Sequence, residues 1–139
     1  MTVYQLKVGD QASVTKTISE SDVYLFAGIT GDLNPAHVDS VTAQKGIFKD
    51  RVAHGILTTG LISAVIGMKL PGPGTVYLGQ EVRFTKPVYF GDTITALCRV
   101  ISIDPVKNLV HLETTCTNQK GESVIVGSAT VMPPKASAC

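Results

Sequence analysis

Asp32, Asn34 and His37 fall within six positions of one another in the stretch Gly31-Asp32-Leu33-Asn34-Pro35-Ala36-His37. A carboxylate and an imidazole are the side chains that exchange protons with water near neutral pH after modest tuning. Gly, Asp, Asn and Pro crowded together suppress regular structure, so a loop is predicted over residues 31–37. Function concentrates on loops held by a rigid scaffold. Pro35 pushes Asn34 out of helical geometry, and a loop folded back at Pro35 turns Asp32 and His37 towards one water molecule. The same spacing also suits an Asx turn at Asp32 or Asn34, with His37 capping the next helix. Spacing alone leaves both readings open.

A second feature lies at His54-Gly55, at the predicted start of a long apolar helix. The first N–H groups of a helix lack internal partners and carry partial positive charge. Glycine lets a ligand approach that backbone, and such a site can hold an enolate oxygen developing on a thioester carbonyl. An ordinary N-terminal glycine with His54 as a cap is the alternative. Taken together, Asp32, His37 and Gly55 make an acid–base pair beside an oxyanion site.

These residues need elements to position them. Gln11 to Ser19 alternates weakly and is rich in Val and Thr, which predicts a first strand. Ser19-Glu20-Ser21-Asp22 reads as a helix N-cap, with Gly28 or Gly31 ending that helix. Val38 to Phe48 is predicted as a short irregular helix. Val52 to Met68 carries no Asp, Glu, Lys or Arg and is apolar all round, which predicts a buried helix. Its length only touches the lower limit of ~17–25 residues for a membrane span, and His54, Thr58, Thr59 and Ser63 argue against one. Pro71-Gly72-Pro73-Gly74 stops the helix. Beyond it come strands over Thr75 to Val88, with a bulge at Gly79, then Thr93 to Ile103, Val110 to Cys116 and Ser123 to Met132. Pro133 to Cys139 reads as a frayed tail. One strand and a buried helix ahead of hairpin-spaced strands imply an α+β architecture, an antiparallel sheet covering a helix. The open outer strands call for pairing with a second copy.

Composition sets the bounds. The chain has 139 residues, 44% hydrophobic and 17% charged, with a formal net charge of +1. That predicts one globular domain over residues 1–139 and gives no basic stretch for nucleic acid or a membrane surface. Cys98, Cys116 and Cys139 make an odd count with no CxxC spacing, against a disulfide framework or a zinc cluster. Cys98 and Cys116 sit in alternating apolar stretches as small buried hydrophobes. Asp32, Asn34 and His37 lack the further ligands a metal site needs. Met1 to Asp10 has no basic region followed by an apolar run, so the expected setting is cytoplasmic.

The GD-x-NP-x-H string of residues 31–37, followed by Ala43, resembles the hydratase motif of the MaoC-like dehydratases and (R)-specific enoyl-CoA hydratases. Val52-Ala53-His54-Gly55 with the helix through Ser63 resembles their central helix, and Tyr77 to Ile94 their sheet region. The resemblance runs from about Val8 to Met132, and Ala36, where a larger aliphatic is frequent, is a small departure. It implies a hot-dog fold, a sheet curled around the helix, with two subunits joined edge to edge. It implies hydration of trans-2-enoyl-CoA to (R)-3-hydroxyacyl-CoA, with Asp32 and His37 holding the water and Asp32 the favoured base. Gly55 N–H would hold the thioester oxygen, Asn34 would orient the loop or a catalytic group, Ser63 would bond to the loop from the helix, and His54 would support the site. No metal or redox cofactor is implied, since only water and a proton move.

A hot-dog thioesterase and a non-catalytic acyl-thioester binding module are the competing functions, and acyl carrier protein competes with CoA as the carrier. His111 is expected to be solvated. Lys45, Lys49 and Arg51, and with them Arg83 and Lys86, are either solvated charges or contacts for CoA phosphates.

Overall fold

The computed structural model describes residues 1–136; Cys139 and the end of the expected frayed tail lie outside them. The elements run β1 (Gln11–Thr17), α1 (Glu20–Thr30), α2 (Pro35–Val38), α3 (Ser40–Gln44), α4 (Gly55–Met68), β2 (Val76–Phe84), β3 (Thr93–Asp104), β4 (Leu109–Thr117) and β5 (Ser123–Met132). The strands form one five-stranded sheet in the order β1-β3-β4-β5-β2, every neighbour antiparallel. Helix α4 lies across the sheet and meets β1, β2, β3 and β4.

Period-two patterning creates the face that α4 covers. Ile94, Ala96, Cys98 and Val100 of β3 and Val110, Leu112, Thr114 and Cys116 of β4 are fully buried, as alternation predicts. Ile62, Val65 and Ile66 of α4 pack into them. Each such aliphatic side chain contributes about 1.5–3 kcal/mol when taken from water. The polar group in this face, Thr114, takes its hydroxyl partner from Gln80 Nε2 at 2.9 Å. Burial of Cys98 and Cys116 pushes both thiols up to about 12.

Four expectations need correction. The helix predicted over the apolar run from Val52 is shorter and begins at Gly55, the start that His54-Gly55 predicts, because Val52 bridges to Tyr89 and Ala53 N–H donates to Val88 O. Nor is α4 buried all round: Ile56, Gly60, Ser63 and Met68 are exposed on one side. The predicted loop over 31–37 is shorter, since Pro35 pre-sets the first helical φ and α2 starts there. The tail is also less frayed than expected at its start, where Pro133 is buried and accepts from Asn108 Nδ2. The bulge at Gly79 is present: pairing passes from Tyr77↔Val131 to Gly79↔Thr130, which leaves Leu78 as the extra residue. β2 is an edge strand, and Val76, Leu78 and Phe84 are each 51% exposed.

Candidate active site

The site starts from a helix end. Ser19 caps α1 in a capping box with Asp22, and Gly31, in the left-handed region at φ 80°, closes it. The sharp exit places Asp32 beside the last turn, where its N–H donates to Thr30 Oγ1 at 3.2 Å. Asp32 Oδ1 accepts from Asn34 N–H at 3.3 Å, and Asn34 Oδ1 accepts from Ala36 N–H at 3.0 Å, capping α2. The Asx-turn reading of the motif therefore holds. It does not displace the chemical one, because Oδ2 of Asp32 has no hydrogen-bond partner among the described residues and its side chain is 53% exposed.

α2 carries His37, half-buried, with Nδ1 2.6 Å from the carbonyl oxygen of Val52. A carbonyl can only accept, so Nδ1–H donates and the neutral ring keeps its lone pair on Nε2. Val52 N–H returns a bond to Ala36 O at 3.0 Å, which clamps α2 to the segment leading into α4. The wider excursion is tied down by Arg51, which donates to Glu20 Oε1 at 2.7 Å and Tyr24 Oη at 2.9 Å and stacks over Phe90. Arg51 is thus a structural tie and not a solvated charge. Lys86 is paired with Glu122. Lys45 lies beside Asp39, and Arg83 is exposed.

His54 does not cap α4 with its side chain. It is 3% exposed, its Nε2–H donates to Asp32 O at 2.9 Å, and its ring lies between Phe26, 4.7 Å away, and His37, stacked at 3.8 Å and 28°. Gly55 follows, and the N–H groups of Gly55 and Ile56 have no partner among the described residues. A Cβ on Gly55 would stand 2.5 Å from Phe84 Cε1, so the missing side chain is what lets the Phe84 ring lie on the helix start.

Asp32, His37 and His54 each present a ligand-type atom within 4.8 Å of the others. A single water spans such a gap between a carboxylate oxygen and a ring nitrogen. Two of the four ring nitrogens are not free to bind a metal: His37 Nδ1 and His54 Nε2 are engaged by carbonyls, and the two imidazoles are stacked. The three side chains open on a cavity of about 570 Å³ whose other walls include Phe26, Phe48, Phe84, Val88 and Ile125. It offers an apolar space beside a carboxylate, two imidazoles and the unpartnered backbone N–H groups at the start of α4.

Of the residues singled out from the sequence, Asp32, His37, His54 and Gly55 come together here. Asn34 serves the loop backbone. Ser63 does not reach it: it is exposed, two turns into α4, and makes no bond to residues 31–37 among the described residues. His111 is half-buried with Nδ1 3.1 Å from Thr130 Oγ1, so it is not the solvated histidine expected. Thr58, buried on the cavity wall with an unpartnered hydroxyl, and the phenylalanines carried no signal of their own, because apolar walls are read as core until a cavity is seen.

Comparison with known proteins gives this geometry its relatives. Residues 6–121 match the model of the MaoC like domain. An (R)-specific enoyl-CoA hydratase of Rhodospirillum rubrum is 54% identical over 129 residues, 93% of this chain and 89% of that one. A 3-hydroxybutyryl-CoA dehydratase of Methylorubrum extorquens is 44% identical over 131 residues, covering 94% and 82%. Among solved structures, an unliganded R-hydratase of Pseudomonas aeruginosa superposes with a TM-score of 0.92 at 45% identity, over 97% of this chain and 86% of that one. The sheet around α4 is thus the hot-dog fold of these hydratases, and the chain belongs to the family built on the MaoC like domain.

Proposed function

We propose that this protein is a hydro-lyase, an (R)-specific enoyl-CoA hydratase that adds water across trans-2-enoyl-CoA and reverses the reaction. One observation supports the reading: Asp32 and His37 present a carboxylate oxygen and a ring nitrogen within 4.8 Å of each other at the side of an apolar cavity that Gly55, with its unpartnered N–H, also lines. The two relatives at 54% and 44% identity are named for CoA thioesters, which favours CoA as the carrier, whereas relatives at 36% and 35% identity are named for acyl-carrier-protein thioesters.

In this mechanism the enoyl chain lies along the apolar wall and its thioester oxygen meets Gly55 N–H at the positive end of α4. Water donates one hydrogen bond to Asp32 and one to His37 Nε2. As its oxygen bonds to C3, the C2–C3 π pair shifts towards the thioester and an enolate oxygen develops at Gly55. The pair takes one proton from the water and a proton is delivered to C2. OH at C3 and H at C2 account for the whole water, so no electron leaves and no redox partner is needed.

The working unit is a homodimer of single-domain chains, in the cytoplasm. The open β2 edge with Val76, Leu78 and Phe84 exposed supports pairing with a second copy. Phe84 lies on Gly55, so a copy on that edge would also shield the half-exposed Asp32. Among the described residues, no helix is long and apolar enough to cross a membrane.

The test is loss of the conjugated enoyl absorbance of crotonyl-CoA, with thiol release followed in parallel. The product is then offered separately to (R)- and (S)-specific 3-hydroxyacyl-CoA dehydrogenases. Hydration with product taken only by the (R)-specific enzyme is expected. Thiol release without hydration would make the protein a thioesterase, and tight binding without turnover of any enoyl-CoA would make it a binding module.

A further inference from the structure

His54 lines the cavity beside His37 yet is only 3% exposed. Its Nε2–H is spent on Asp32 O, which leaves the lone pair of the neutral ring on Nδ1, and that atom is buried without a partner. An orphaned buried polar atom is destabilising. Packing alone would be better served by phenylalanine or leucine. What the imidazole supplies and an apolar ring cannot is a donor for the Asp32 carbonyl. The other hydrogen bonds at Asp32, to Thr30 and from Asn34, come from within two residues of it. Among the described residues, His54 makes the hydrogen bond that fixes the Asp32 backbone to the start of α4.

The second contact acts on His37. A ring held by Nδ1 alone can pivot about the bond to Val52 O. Stacking at 3.8 Å removes that pivot and fixes the direction in which Nε2 points. The Asp32 Oδ2 to His54 Nε2 distance of 4.0 Å is too long for a hydrogen bond, so the carboxylate stays available to the water.

We propose that His54 is a positioning residue for the hydration step, holding Asp32 through its backbone carbonyl and His37 through its ring face, so that both meet one water. This rests on the reading of Asp32 and His37 as the water-handling pair. A misplacement of a reacting group by about 1 Å costs on the order of 10²-fold in rate, so the effect belongs in kcat.

The experiment compares wild type with H54F, H54Q and H54L on crotonyl-CoA, each checked by thermal unfolding. H54F keeps a stacking ring and loses the donor, H54Q keeps a donor and loses the ring, and H54L loses both. The expected result is a fall in kcat of about 10- to 100-fold for H54F and more for H54L. KM should stay within about threefold, and H54Q should recover part of the loss. H54F with wild-type kcat, or a loss confined to KM, overturns the proposal. Nitrogen-15 spectra of the wild type, which has three histidines, give a readout independent of any variant's folding. Expected are the Nε2–H tautomer at His54 and the Nδ1–H tautomer at His37; the Nδ1–H tautomer at His54 overturns the proposal. A wild type that hydrates no enoyl-CoA removes the reading beneath it, whereas an active wild type with an equally active H54F removes this proposal alone.

Discussion

The Nδ1–H of His37 donates to the carbonyl oxygen of Val52, 2.6 Å away and fifteen residues further along the chain. One backbone oxygen thus sets which nitrogen of the imidazole faces the cavity. Replacing His37 by Asn keeps a donor near Val52 and removes the nitrogen that meets water. We expect kcat on crotonyl-CoA to fall by about 10²–10⁴-fold with an unfolding midpoint close to wild type. Asp32→Asn, which keeps the loop's Asx turn, should show a comparable loss. Steady-state kinetics with a thermal melt checks both, and a variant retaining more than about a tenth of wild-type kcat counts against its residue's role.

Gly55→Ala places a Cβ 2.5 Å from Phe84 Cε1. The ring must move, and overpacking of this kind costs about 1–3 kcal/mol. A lower unfolding midpoint is expected, with reduced kcat/KM because the methyl crowds the helix N-terminus. In the double variant Gly55→Ala/Phe84→Ala the clash is gone, so the midpoint should match that of Phe84→Ala alone. Denaturation of the four proteins as a mutant cycle reads this coupling, and additivity would show that the two residues do not interact.

Asp22 closes the capping box of α1, and the hydrogen bond from Lys16 together with that from Ser19 N–H holds its carboxyl below its ordinary value of 3.8. A carboxyl lowered in the folded state contributes stability above its unfolded value and loses it as pH falls through the folded one. Asp22→Ala should therefore lower the unfolding midpoint at pH 7, and the difference from wild type should shrink below about pH 4. Melts at pH 7 and pH 3 check this; a difference independent of pH would mean that the carboxylate charge contributes nothing.

Cys98 and Cys116 lie in the sheet face beneath α4 with thiols pushed up to about 12 by burial. Thiolate is the reactive form, so in a Cys139→Ser background neither should react with a thiol reagent at pH 8 until the protein unfolds. The rate of labelling should then follow denaturant concentration through the unfolding transition. Prompt reaction of either thiol in buffer would show that the core opens without unfolding.

The strands β3 and β4 were readable because their inner faces alternate without interruption: Ile94 to Val100 and Val110 to Cys116 are buried at every second position. The GD-x-NP-x-H string was equally plain. Harder to read were features that depend on backbone atoms. The carbonyls of Val52 and Asp32 orient two imidazoles, yet a carbonyl has no letter of its own. His54-Gly55 marked the start of α4, but the apolar run itself did not, because Val52 and Ala53 are as apolar as the helix and pairing with Tyr89 and Val88 draws them into extended geometry. Ser63 shares an exposed side of α4 with Ile56 and Gly60, a side that composition cannot distinguish in so apolar a helix.

The order of the strands has a kinetic consequence. β3, β4 and β5 are consecutive hairpins, whose ends meet at little loop-closure cost. β1 joins β3 through partners far apart in the chain, as in the threonine hydroxyl pairs Thr17–Thr93 and Thr15–Thr95, 76 and 80 residues apart. Contacts of such separation form slowly. The meander forms first and recruits α4, and the amino-terminal third, which brings Asp32 and His37 to the start of that helix, docks last. Recovery of catalytic power during refolding then lags behind the appearance of sheet, and a refolding chain passes through a stage that has its core but no site.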